Sequence, residues 1–112
     1  MENSQRESRI YATTSGSRPF SNWLKGLRDL KGRATIRVRL DRLEQGNFGN
    51  SEPVGEGVRE LKIDFGPGYR VYFAEDGPKI VLLLFGGDKK SQKKDIKTAK
   101  QYWEDYRRRK DD

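Results

Sequence analysis

The chain has 112 residues, of which 32% are hydrophobic and 37% charged, so it is long enough for one domain with a small core. It carries 24 Lys and Arg against 17 Asp and Glu, a net charge of +7, with neither Cys nor His. That composition excludes disulfides, a thiol nucleophile, a zinc–thiolate site and any imidazole base or ligand, and it points to a polyanionic partner, nucleic acid ahead of a membrane.

Residues 1–8 show no apolar periodicity and are expected to be flexible. They lack the apolar segment of a secretory signal, and the longest apolar run, Ile80 to Phe85, is about a quarter of a membrane span. No membrane association is expected, and the expected location is the cytoplasm. Arg9 to Thr13 reads as a short strand, Thr14 to Ser17 as a turn, and Pro19 as the first turn of a helix. Phe20, Trp23, Leu24, Leu27 and Leu30 continue at helical spacing, with Gly26 weakening that helix and Gly32 interrupting it. Arg33 to Glu44 fits a strand through Ile36, Val38 and Leu40, or a helix through Ile36, Leu40 and Leu43. The helix is favoured because Leu43 continues its stripe and Gln45-Gly46-Asn47 makes a stop.

Residues 46–57 read as a patternless Gly/Asn/Ser/Pro loop. Three strands follow: Val58 to Phe65, Tyr69 to Ala74, and Lys79 to Phe85, separated by turns at Gly66-Pro67-Gly68 and Glu75-Asp76-Gly77. The third is apolar throughout, as in a central strand covered on both faces, and Gly86-Gly87-Asp88 ends it. Ser91 to Lys110 is a helix with Ile96, Ala99, Tyr102, Trp103 and Tyr106 on one stripe; its tryptophan and tyrosines, and Trp23, are read as packing residues. The expected fold is α+β: two N-terminal helices and a C-terminal helix on one face of a twisted, mostly antiparallel sheet of about four strands. The domain spans 9–106, with a charged tail over 107–112.

Three strings carry a family resemblance: Val58 to Asp64, Phe65 to Phe73, and Leu82 to Gln92 followed by Asp95-Ile96. With the element order, they resemble the RelE/ParE superfamily of bacterial toxins, in particular the phage-derived addiction module killer proteins related to HigB-type toxins. The resemblance implies a cognate antitoxin, usually a helix-turn-helix protein, with a toxin–antitoxin heterotetramer among the assemblies it admits. It also implies one of two activities: ribosome-dependent cleavage of messenger RNA, or inhibition of DNA gyrase. A third reading, from another class, is a basic binding module that has lost catalysis.

Metal-free RNA cleavage needs the 2′-hydroxyl deprotonated, in-line attack on phosphorus, charge stabilisation and protonation of the leaving oxygen. Alternation along the strands puts Glu60, Lys62 and Asp64 on one sheet face, with Arg70 and Tyr72 beside them, on the face expected to be open. The resemblance matches the family's strand lysine to Lys62, its key arginine to Arg70 and its basic residue after the last strand to Lys89. Arg70 is therefore expected to bind the scissile phosphate, Lys62 to stabilise charge or act as base, and Lys89 or Lys90 to stabilise or protonate the leaving oxygen. Glu60 is either a base or the ion-pair partner of Lys62. Arg59, Lys90, Lys93 and Lys94 are expected to contact phosphate; cations at a helix start oppose its dipole and are not placed for helix stability. Two positions depart from the family pattern: Glu60 stands where a second lysine is common, and Lys94, Asp95 and Ile96 stand where several members carry an aromatic residue or histidine. Neither a cofactor nor a bound metal is expected.

Overall fold

The computed structural model describes residues 5–111. Strand β1 (Glu7–Ile10) precedes helices α1 (Pro19–Gly26) and α2 (Leu30–Glu44). Strands β2 (Ser51–Gly55), β3 (Val58–Ile63), β4 (Tyr69–Asp76) and β5 (Ile80–Asp88) follow, and a 3-10 turn (Lys89–Ser91) opens helix α3 (Gln92–Asp111). The strands form one sheet in the order β1-β5-β4-β3-β2. β1 runs parallel to β5, and the other neighbours are antiparallel. The α+β class and the three helices agree with the sequence reading. Among the described residues the sheet has five strands, one more than expected.

The additional strand is β2, which the sequence reading left inside a loop. It is an edge strand containing Pro53, whose missing N–H costs nothing where no neighbour needs it, and its register shifts between Pro53 and Gly55. The reversal into β3 is tight because Gly55, Glu56 and Gly57 all take positive φ, Glu56 being the one non-glycine to do so among the described residues. β1 begins at Glu7, two residues before the expected strand, so the segment expected to be flexible already pairs at Glu7 and Ser8. Residues 1–4 of that segment, and Asp112 at the other end, lie outside the described residues.

The break between the first two helices falls at residues 27–29, not at Gly32. Asp29 caps α2, accepting the Gly32 backbone N–H at 2.9 Å, and this defines a fresh start. Gly32 is a helical residue chosen for space: a Cβ there would lie 2.6 Å from Asp29 Oδ2 and 2.7 Å from the Tyr69 ring. The α2 stop is as read. Gly46 takes φ +87° while its N–H and that of Asn47 satisfy the carbonyls of Leu43 and Arg42.

The helices cover both faces of the sheet, not one. Helices α1 and α2 pack on Leu61, Ile63, Tyr69, Val71, Phe73, Val81 and Leu83, through Phe20, Leu24, Ile36 and Leu43. Helix α3 packs on Val58, Tyr72, Ala74, Leu82 and Leu84, through Ala99 and Trp103. Gly86 and Gly87 do not end β5 but let the two layers close in. A Cβ on Gly86 would lie 2.1 Å from the Trp23 ring, and one on Gly87 would lie 1.9 Å from Asp95 Oδ2. Trp23 and Trp103 are packing residues, with Trp103 stacked on Tyr106 and Tyr102 stacked on Tyr11.

Candidate functional site

Sheet register assembles the site in two rows on the α3 side. Lys62, Arg70 and Gly87 are successive cross-strand partners, as are Glu52, Glu60, Tyr72 and Phe85. The alternation seen in the sequence thus brings Glu60, Lys62, Arg70 and Tyr72 to one face. That face is not open over Glu60, because the first turn of α3 lies across it.

Glu60 is fully buried. Its Oε2 accepts from Tyr72 Oη at 3.1 Å and from Gln92 Nε2 at 2.8 Å, and lies 3.9 Å from Arg70 Nε. The last distance is an ion pair beyond hydrogen-bonding range; Glu60 Oε1 and Arg70 Nε have no hydrogen-bond partner among the described residues. Burial, and then the Glu60 charge, push the Tyr72 hydroxyl well above the usual range, so it acts as a neutral donor. Arg70 is 9% exposed, and its Nη1 donates to the carbonyls of Gly68 at 3.0 Å and Tyr69 at 3.3 Å. No described residue hydrogen-bonds to Nη2. Gly87 presents no side chain beside Arg70, and the buried Asp95 carboxylate of α3 fills that position while accepting from Ser91 Oγ.

Lys62 pairs with Glu52 at 2.8 Å and remains partly exposed; the lysine's hydrogen bond and charge lower the Glu52 carboxyl below its usual value. Lys89 enters from the 3-10 turn. A Cβ on Gly68 would lie 3.3 Å from Arg70 Nη1 and 3.4 Å from Lys89 Cβ, so the two basic residues flank one point. Lys90, Lys93 and Lys94, joined by Lys97 and Ser91, line one open depression at the start of α3. Arg59 does not join them. It points to the other sheet face, where its guanidinium lies over Phe48 and donates to Ser51 Oγ.

Sequence reasoning missed Glu52, because β2 was missed, and Gln92, Asp95 and Lys97, which only the placement of α3 brings in. The capping box of Asp88 and Ser91 was the readable signal that α3 starts here, close to the sheet. Among the described residues no group of three or more His, Cys, Asp or Glu is placed to hold a metal, and no helix is long and apolar enough to cross a membrane.

Residues 22–104, which run from within α1 through most of α3 and hold every site residue above, match the family described as Phage derived protein Gp49-like (DUF891). The chain belongs to the Gp49-like family. This family falls within the addiction module killer and RelE-like toxin group. An uncharacterized protein of Haemophilus influenzae is 49% identical over 81 residues, covering 72% of this chain and 82% of the relative.

Proposed function

We propose that this Gp49-like chain is the toxin of a toxin–antitoxin pair and a ribosome-dependent mRNA endonuclease, neutralised by a cognate antitoxin. The observation that carries the reading is Arg70: a guanidinium fixed by two backbone carbonyls and a buried carboxylate, with Nη2 unengaged, between Lys62 and Lys89. A guanidinium so held is pre-organised for a phosphate oxygen, which costs little reorganisation as charge develops.

In this reading the 2′-oxygen forms a bond to phosphorus and the bond to the 5′-oxygen breaks. Arg70 Nη2 binds a non-bridging oxygen throughout. Lys62, ion-paired to Glu52, adds positive charge, and Lys89 gives a proton to the departing 5′-oxygen. The 2′-hydroxyl proton goes to a basic group of the ribosome, a phosphate oxygen or base nitrogen of its RNA, because Glu60 lies too deep to touch substrate. Glu60 is a positioning residue for Arg70, and Lys90, Lys93 and Lys94 hold flanking phosphates.

The test is inducible expression in a bacterium of the wild type beside Arg70→Ala, with growth and mRNA integrity followed together. Growth arrest with cuts at ribosome-occupied positions, lost in Arg70→Ala, is expected. Arrest with intact mRNA would replace this reading with gyrase inhibition, and no arrest from folded protein would leave a binding module.

A further inference from the structure

We propose that the groove between α1, α2 and β1, on the opposite side of the sheet from Arg70, docks a short acidic segment of a partner protein through an apolar anchor. The floor is formed by Ile10, Phe20, Leu24, Leu40 and Leu83. Phe20, Leu24 and Leu83 belong to the core, so the floor is held rigidly by packing below it. The rim is cationic: Lys25 from α1, and Arg33 and Arg37 from α2. None of these three forms an ion pair with a described carboxylate.

The size and chemistry select the occupant. The hollow holds about 230 Å³, below the roughly 300–1,000 Å³ of pockets that enclose drug-sized ligands, and room enough for one or two side chains. Three unpaired cations around five apolar side chains ask for carboxylates flanking a leucine- or phenylalanine-sized anchor. A phosphate backbone would satisfy the rim and leave the floor unmatched. A second copy would bring the same cations and another +7 of charge.

Two further features fix the extent and direction of the docked segment. Leu30 is 72% exposed and precedes Arg33 and Arg37 on one stripe of α2, which extends the apolar contact beyond the rim. In the other direction the groove continues past Arg37 and Leu40 to Asp41 and Glu44. The acidic part of the segment therefore lies toward Lys25 and Arg33, and its neutral or basic part toward Asp41 and Glu44. This proposal stands whether or not the opposite face cuts RNA.

The experiment is amide chemical-shift mapping by NMR on the full chain. The probe is a synthetic peptide with leucines at helical spacing flanked by glutamates, run beside its Leu→Ser counterpart and a short single-stranded RNA. Saturable shifts at Leu24, Arg33, Arg37 and Leu40 are expected with the leucine peptide. Binding should fall about tenfold or more in Arg33→Glu/Arg37→Glu and stay within about twofold in Lys93→Glu/Lys94→Glu, with the same spectra confirming that each variant is folded. Several results would overturn the proposal: shifts confined to Lys89–Lys97, equal binding of the Leu→Ser peptide, stronger binding of RNA at Arg33 and Arg37, groove shifts that follow protein concentration alone as in a dimer, or no binding.

Discussion

The carboxylate of Glu60 and the guanidinium of Arg70 meet beneath α3, with Glu60 Oε2 3.9 Å from Arg70 Nε and Tyr72 and Gln92 donating to the same oxygen. Burying these charges is costly, and their mutual attraction offsets that cost only while both are present. Glu60→Ala should therefore destabilise the fold by about 3–5 kcal/mol, because it strands a buried cation. Urea unfolding of Glu60→Ala, Arg70→Ala and the double variant checks this. The double variant should cost clearly less than the two single losses added together, and simple additivity would show that the pair is not coupled.

The approach of α3 to the sheet depends on Gly87. A methyl group there would lie 1.9 Å from Asp95 Oδ2 and 3.0 Å from Ser91 Oγ, so Gly87→Ala must break the Ser91–Asp95 contact or lift the first turn of α3. Overpacking of this kind costs about 1–3 kcal/mol. Adding Asp95→Ala to Gly87→Ala should recover part of the loss in a thermal melt. A double variant less stable than Gly87→Ala alone would contradict the steric account.

The α2 cap predicts how stability varies with pH. The Gly32 N–H, then the Tyr69 hydroxyl, lower the Asp29 carboxyl below its usual 3.8, so its contribution is present above that value and is lost as pH falls through the folded pKa. Burial, then Asp29, push the Tyr69 hydroxyl up to about 12, so its contribution is full below the ordinary 10 and is lost as pH rises toward 12. The melting-temperature difference between wild type and Asp29→Ala should be widest near neutral pH and shrink in acid below 3.8. A difference independent of pH would mean that the charge on Asp29 contributes nothing.

If Lys90, Lys93 and Lys94 hold phosphates, each Lys→Ala change should weaken RNA binding by a similar factor for every sequence. The slope of log affinity against log salt should fall by about 0.7–1 per lysine removed. Fluorescence anisotropy over a salt series measures both. Arg59→Ala, on the opposite face over Phe48, should leave the slope unchanged, and an equal drop for Arg59 would place RNA on both faces.

Much of the architecture was legible because it rests on local pattern. Alternation in Tyr69–Ala74 separated Val71 and Phe73 from Arg70 and Tyr72, and the register then set Arg70 beside Lys62. Leu43 and Gly46 marked the end of α2 because a helical stripe and a left-handed cap agreed there. The stripe of Ala99 and Trp103 revealed that α3 buries a face, but nothing local in it says which side of the sheet receives that face. Glu60 was read as exposed because alternation puts it on the face opposite Leu61 and Ile63, which helices on one side only would leave open, and the partners that permit its burial, Tyr72 and Gln92, are contributed from distant positions. Gly86 and Gly87 resembled a stop signal, since the sequence does not reveal what presses on a residue without a side chain.

The pairing of β1 with β5 joins Glu7 to Ile80 and Ile10 to Leu83. During synthesis the first strand to emerge must wait for the last one, and contacts so distant in sequence form slowly. Gln92, which reaches Glu60, comes later still. The growing chain therefore carries Glu60 and Arg70 before Gln92 is there to hold the carboxylate, and the pair is buried only when α3 folds onto the sheet. The order of manufacture keeps the unfinished polypeptide from holding a completed guanidinium site.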